Sequence, residues 1–193
     1  MPRGRRVNSN GERSKQLLLT KAIELFSIHG YYETKISDIV KAADLTQPTF
    51  YLYFQSKESL YKDLNEQFKN DFFAIVNKEF ESTKNEVENF QLRLVEIFKF
   101  FLNNPFLTKI AFYDSEYALL LKEELSNNLV DWLQNKGKVF VRENMDTKIY
   151  AESLIGALER LTLSKLVTGK RGPEQLASDI VNIFFVTEKE PAL

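Results

Sequence analysis

Between Ile36 and Phe54 the chain spells out a short helix, closes it within two residues and starts another, a pattern that few folds accommodate. Ile36, Ile39, Val40 and Ala43 fall at i, i+3, i+4 and i+7 and form one apolar stripe. Asp44 follows, a residue that tolerates the left-handed conformation of a tight turn. Leu45 then offers an apolar plug, and Thr46 can cap a further helix with Pro48 in its first turn. That further helix, residues 47–54, divides its labour. Phe50 and Phe54 lie four apart and face inward, while Gln47, Thr49, Tyr51 and Tyr53 present hydrogen-bonding tips. A helix that only packs seldom carries so many polar tips on so short a length.

The helical period continues along the chain. Leu18, Ala22, Ile23, Leu25 and Phe26 define a first helix over residues 14–29, ended by Gly30, with His29 placed to complement the helix dipole. Thr34 is expected to cap the second helix. Ser56 is expected to cap a long fourth one, whose stripe Leu60, Leu64, Phe68 and Phe72 runs on to Ile75 and Phe80. Residues 82–86 and Asn103-Asn104-Pro105 mark turns. Further helices are read at about residues 87–102, 105–113, 116–142 with a break near Asn127-Asn128, 147–167 and 173–186. Asp146 or Thr147 caps the penultimate one, Gly169 ends it, and Gly172-Pro173 opens the last. With 7 Gly and 5 Pro in 193 residues, turns are too few for an all-β fold, and an all-α chain is expected.

Charge and residue inventory narrow the function. The net charge of −1 hides a split: residues 1–62 hold 10 Lys and Arg against 6 Asp and Glu, the remainder 16 against 21. Arg3, Arg5, Arg6, Arg13 and Lys15 stand near the N-terminus among Gly, Pro, Asn and Ser, against Glu12 alone. Such an arm suits a polyanion, with Arg tracking phosphates or entering a narrow minor groove; taken alone it is equally a solvated terminus. The absence of Cys removes disulfides, thiolate nucleophiles and Cys-ligated zinc, and one His leaves no metal pair. A carboxylate-bridged metal oxidase needs Glu-x-x-His motifs that this chain lacks, and Gly169-Lys170 lacks the rest of a phosphate loop. No enzyme, cofactor or metal site is expected. Leu17-Leu18-Leu19 is too short for a signal-peptide core, and no apolar run approaches the ~18 residues of a membrane span. A cytoplasmic protein with no membrane partner is expected.

The run Ile39-Val40-Lys41-Ala42-Ala43-Asp44-Leu45-Thr46-Gln47-Pro48-Thr49-Phe50-Tyr51-Leu52-Tyr53-Phe54, followed by Ser56-Lys57-Glu58-Ser59-Leu60, resembles part of the TetR family of bacterial transcriptional regulators. It is similar to that family's second helix, turn, recognition helix and start of the fourth helix. Phe26, His29, Gly30 and Thr34 also fall where the family places an aromatic, a helix end and a cap, while Asp44 stands where the family more often has Gly. The resemblance implies an all-α homodimer of about nine helices per subunit, whose dyad-related third helices read a palindromic operator in the major groove. The implied organisation is a basic arm at 1–13, a three-helix, helix-turn-helix DNA-binding head at 14–62, a ligand-binding and dimerisation body at 63–187 and a tail at 188–193. The expected function is that of a ligand-responsive repressor that binds double-stranded DNA and is released by a small lipophilic effector. The alternative is a helical lipid- or small-molecule-binding protein without operator-specific DNA binding.

Within that frame Gln47 is expected to read a base edge, since its amide presents a donor and an acceptor to adenine. Lys35 reaches a guanine edge or a phosphate, or is simply a solvated lysine. By the resemblance Thr34, Thr46, Thr49, Tyr51, Tyr53 and Lys57 hold phosphates, and Pro48 touches a thymine methyl or only opens its helix. Thirteen of the 16 Phe stand at or beyond Phe68, which makes a ligand cavity plausible. Its candidates are Phe98, Phe101, Phe106, Phe112 and Tyr113, with Tyr117, Trp132, Glu159 and Leu163 on later helices; the same spacing also suits a core. The helix over 147–167 is apolar nearly all round and needs cover on more than one face. Ile149, Ser153, Gly156, Ala157 and Arg160, with Leu176, Ile180, Ile183 and Phe184 of the last helix, are the expected dimer interface.

Overall fold

The computed structural model describes residues 7–80, 85–135 and 145–185, excepting the side chains of residues 7–10. Arg3, Arg5 and Arg6 of the basic arm, residues 136–142 of the expected seventh helix and the 188–193 tail lie outside the described residues. Among the described residues there are nine α-helices and no strand. The chain forms two compact units: one runs to Lys69 and takes in Phe106–Ser115, and the other holds Asn70–Pro105 and the chain from Glu116 on.

In the first unit α1 spans Val7–His29, beginning before the expected Ser14. Once a strong segment such as residues 14–29 has nucleated a helix, each further residue extends it cheaply, so Asn8, Ser9 and Gly11 are carried along despite their poor propensity. Gly30 ends the helix at φ 84, a left-handed angle that glycine adopts without strain. Helix α2 (Ile36–Ala42) is capped by Lys35, not by Thr34. The Thr34 hydroxyl donates instead to the Gly30 carbonyl at 2.8 Å, and the Lys35 N–H donates to Asp38 Oδ2 at 3.0 Å. Thr34 is thus spent on bracing the preceding turn.

Asp44 sits at φ 53, as the turn requires, and the Leu45 N–H donates to the Val40 carbonyl at 2.8 Å. Helix α3 is shorter than expected, Gln47–Tyr51, yet Phe54 beyond it is still buried with Phe50. The Phe54 N–H still reaches the Phe50 carbonyl at 3.0 Å, so the inward pair survives the end of the helix. Replacing Asp44 with valine forces a β-branched residue into the left-handed region. The expected cost of about 1–2 kcal/mol is a fall of roughly 2–8 °C in the unfolding midpoint, whereas Asp44→Gly is expected to cause no fall; thermal unfolding of the two variants checks this.

Helix α4 (Lys57–Val76) leads from the first unit into the second and stops before Phe80. The second unit then adds α5 (Glu86–Asn103), whose cap Asn85 accepts from the Glu88 N–H at 2.8 Å. Helix α6 (Pro105–Thr108) passes into a π-helical turn, Lys109–Asp114, which lies in the first unit, where Lys109 Nζ donates to the Ser27 carbonyl at 2.6 Å. Helix α7 (Tyr117–Asn135) runs through Asn127-Asn128 without the expected break. Two asparagines cost only a few tenths of a kcal/mol each in helix propensity, whereas Leu125, Leu129 and Leu133 are buried on one continuous stripe. Helix α8 (Thr147–Leu161) begins at Asp146, whose carboxylate accepts from the Lys148 and Ile149 N–H groups, and ends in a second π-helical turn, Thr162–Leu166. Helix α9 (Pro173–Phe184) packs on α5 and α8. The Tyr150 hydroxyl, which burial pushes up to about 12, donates to the Phe184 carbonyl at 2.6 Å and ties α8 to the end of α9.

Candidate DNA-reading face and ligand cavity

Helix α3 is held from behind by Phe50, which is fully buried, and this leaves Gln47, Pro48 and Tyr51 exposed on one surface. Thr46 and Thr49 share a hydrogen bond at 2.9 Å, which orients both hydroxyls along the start of the helix. Lys35 at the start of α2 is exposed, and Tyr53 is half buried. These residues of the expected DNA-contacting set are at least partly exposed, at the start of α2, along α3 and just after it. Two others are engaged inside the unit. Thr34 is buried, and Lys57 Nζ donates to the Tyr31 carbonyl at 2.7 Å and the Thr34 carbonyl at 2.8 Å while lying 4.3 Å from the Tyr31 ring centre. Burial draws the Lys57 ammonium below the usual lysine range, and Glu33 opposes that shift. Lys57 therefore closes the turn after α1 by gathering carbonyls that would otherwise lack donors. Leu52, 77% exposed beside Tyr51, was missed by the periodicity because the helix ends there and the stripe no longer applies.

The second unit contains a cavity of about 430 Å³. Its apolar wall comes from Leu94 and Ile97 of α5, Leu125 and Leu129 of α7, and Leu154 and Leu158 of α8. Its polar end gathers Asn77, Glu79, Glu86, Asn89 and Arg93. Trp132 also lines it, stacked on Phe90 with ring centres 5.1 Å apart. Burial lowers the proton affinity of the Arg93 guanidinium, while Glu86 and Glu79 act through space in the other direction. Among the described residues no cluster of three or more His, Asp or Glu is placed to hold a metal ion, and no helix is long and apolar enough to cross a membrane.

Residues 18–64 match the model for bacterial regulatory proteins of the TetR family. The HTH-type transcriptional regulator YdgC of Bacillus subtilis is 35% identical over 186 residues, covering 92% of this chain and 93% of that protein. The chain belongs to the TetR family. It is a DNA-binding transcriptional regulator of that family, which is not a family of enzymes. A fatty acid metabolism regulator protein of Bacillus subtilis is 22% identical over 153 residues, 74% of this chain and 78% of that protein. Among solved structures, a TetR-like regulator from Rhodococcus sp. RHA1 shares the fold with a TM-score of 0.74 at 18% identity, over 88% of this chain and 92% of that one. The fatty acid degradation regulator FadR from Bacillus halodurans shares it with a TM-score of 0.71 at 22% identity, over 89% and 94%.

Of the ligand-contact candidates of this TetR-family chain, Trp132 alone lines the cavity. Phe98 and Phe101 are buried further along α5 and do not line the cavity; Phe101 stacks on Phe72 at 5.9 Å. Phe112 is buried in the first unit, where Tyr113 is half buried and Phe106 exposed. Glu159 pairs with Lys122 at 2.6 Å, Tyr117 is half buried and Leu163 is exposed. The cavity residues that went unnoticed carry a sequence signal: Phe90, Arg93, Leu94 and Ile97 form one helical stripe on α5, interrupted by a single charge.

The dimer candidates divide in the same way. Ile149, Ser153, Gly156 and Arg160 are exposed on one side of α8, and Leu163 and Val167 continue their alternating four- and three-residue steps beyond its end. Ala157 and Phe184 are half buried, and Ile183 of α9 is 69% exposed. Leu176 and Ile180 lie in the subunit's own core, because α9 turns them toward α5 and α8.

Proposed function

We propose that this regulator is a repressor that binds a palindromic operator in the cytoplasm as a homodimer and is released when a small lipophilic effector enters the cavity of the second unit. The observation that carries the DNA reading is the exposed edge of α3, where Gln47 stands between Thr46 and Tyr51 on a helix anchored by the buried Phe50. Gln47 reads an adenine edge, and Thr46, Thr49, Tyr51, Tyr53 and Lys35 hold the flanking backbone. Thr34 and Lys57 shape the turn that sets α2 against the DNA. The exposed stripe of α8 with Ile183 forms the interface between copies, so that two heads present their third helices at a fixed spacing.

The effector reading rests on the apolar wall of the cavity and on two relatives named for fatty acid metabolism and degradation. An effector releases DNA only through a difference in its affinity for the two arrangements of the dimer, typically about 1–3 kcal/mol of coupling. Selection of bound sequences from a random duplex pool at near-physiological salt tests the DNA reading. One palindrome is expected to emerge. Salt-sensitive binding without sequence preference would overturn the reading and leave a generic polyanion binder.

A further inference from the structure

The polar end of the cavity sets the chemistry of its occupant, on the reading that this cavity is the effector site. Arg93 is the one cationic lining group among the described residues. Its Nη2 donates to the Lys78 carbonyl at 3.0 Å, which fixes the plane of the guanidinium. None of the ion pairs of the described residues involves it. Arginine carries five N–H donors in a rigid fork, so a pinned guanidinium that lines a cavity without a carboxylate partner offers its open side to an acceptor atom.

The charge of that acceptor follows from the rest of the lining. Glu79 and Glu86 stand at the same end, so the described part of the lining carries a net −1 before anything binds. A carboxylate occupant would raise this to −2 in a partly desolvated space. A cationic head would meet the guanidinium and leave its donors unmet. An uncharged carbonyl oxygen satisfies Arg93 and adds no charge. Leu94, Ile97, Leu125, Leu129 and Leu158, with Asn128 as a polar group among them, give the lining a largely aliphatic part that suits an alkyl chain.

We propose that the cavity takes an uncharged ester or amide of an alkyl chain, its carbonyl oxygen accepting from Arg93 and its chain lying against α5, α7 and α8, and that it discriminates against the corresponding free acid. Trp132 is the only tryptophan of the chain and lines this cavity, so its fluorescence reports occupancy directly.

The test is titration of the full chain with methyl decanoate, decanoate and decyltrimethylammonium, each below its micelle concentration, followed by Trp132 emission. Methyl decanoate is expected to bind at least about tenfold more tightly than either charged probe, a difference of about 1.4 kcal/mol. Arg93→Leu is expected to erase that preference. Glu79→Gln combined with Glu86→Gln, at the more solvated end, is expected to strengthen decanoate selectively, which keeps the test open even where Arg93→Leu fails to fold. Equal or tighter binding of decanoate or of decyltrimethylammonium, or no response of Trp132 to any probe, overturns the proposal. Methyl decanoate binding that leaves operator affinity unchanged supports the site chemistry and removes the effector reading. Release of the operator by decanoate at lower concentration than by its ester does the reverse.

Discussion

Substitution of Gln47 by alanine is expected to cost about 1–3 kcal/mol per half-site, hence at least roughly 30-fold in operator affinity for a dimer that engages two. The reason lies in the geometry of α3. Gln47 is exposed at the first position of a helix whose Phe50 is fully buried, so its amide projects from a rigid backbone mount. The loss should be confined to one symmetric pair of positions, where the variant accepts other bases, while affinity for unrelated sequence stays the same. Binding of the selected operator and of duplexes altered at each position separates these outcomes. An unchanged preference and affinity would move the readout to Lys35 or to the exposed Leu52.

The second large effect is expected at the surface between copies. Ile149 and Ile183 are 60% and 69% exposed, and placing glutamate at both puts two charges per subunit into the proposed α8 and α9 interface. The expected result is a monomer at micromolar concentration. Operator affinity should fall by about 10²–10⁴, because two linked heads bind through effective concentration and one head does not. Leu119→Glu is the control, since Leu119 on α7 is 74% exposed and lies outside the proposed interface. Light scattering and operator titration read the two properties separately. A double variant that remains dimeric, or a Leu119 variant that dissociates, would place the interface elsewhere.

Local patterns carried most of the architecture. The stripe of Ile36, Ile39, Val40 and Ala43, the left-handed Asp44, the apolar Leu45 and the early Pro48 each act within a turn of themselves, so the helix-turn-helix unit and the face of α3 were legible before any fold was known. Helix ends were less so. Thr34 is chemically suited to a cap but finds the Gly30 carbonyl first, and Asn127-Asn128 looks like a break but sits inside a stripe of buried leucines. In the first case a nearby carbonyl took the hydroxyl that a cap would have used, and in the second the burial of leucines outweighed a propensity of a few tenths of a kcal/mol.

What the sequence by itself determined was the helical class and the helix-turn-helix, because periodicity and turn chemistry are properties of neighbours along the chain; that Phe106–Ser115 joins the first unit was not legible there. Tertiary structure alone decided which aromatic residues fill the core and which face an open space. Phe98 and Phe101 share helix α5 with Phe90 and Arg93, yet the first two are buried further along the helix, beyond the cavity that the second two line. It also decided that Lys57 serves the turn after α1, and that Leu176 and Ile180 belong to the interior of their own subunit. A helix always has two sides, and which of them meets a neighbour depends on the packing of other helices around it.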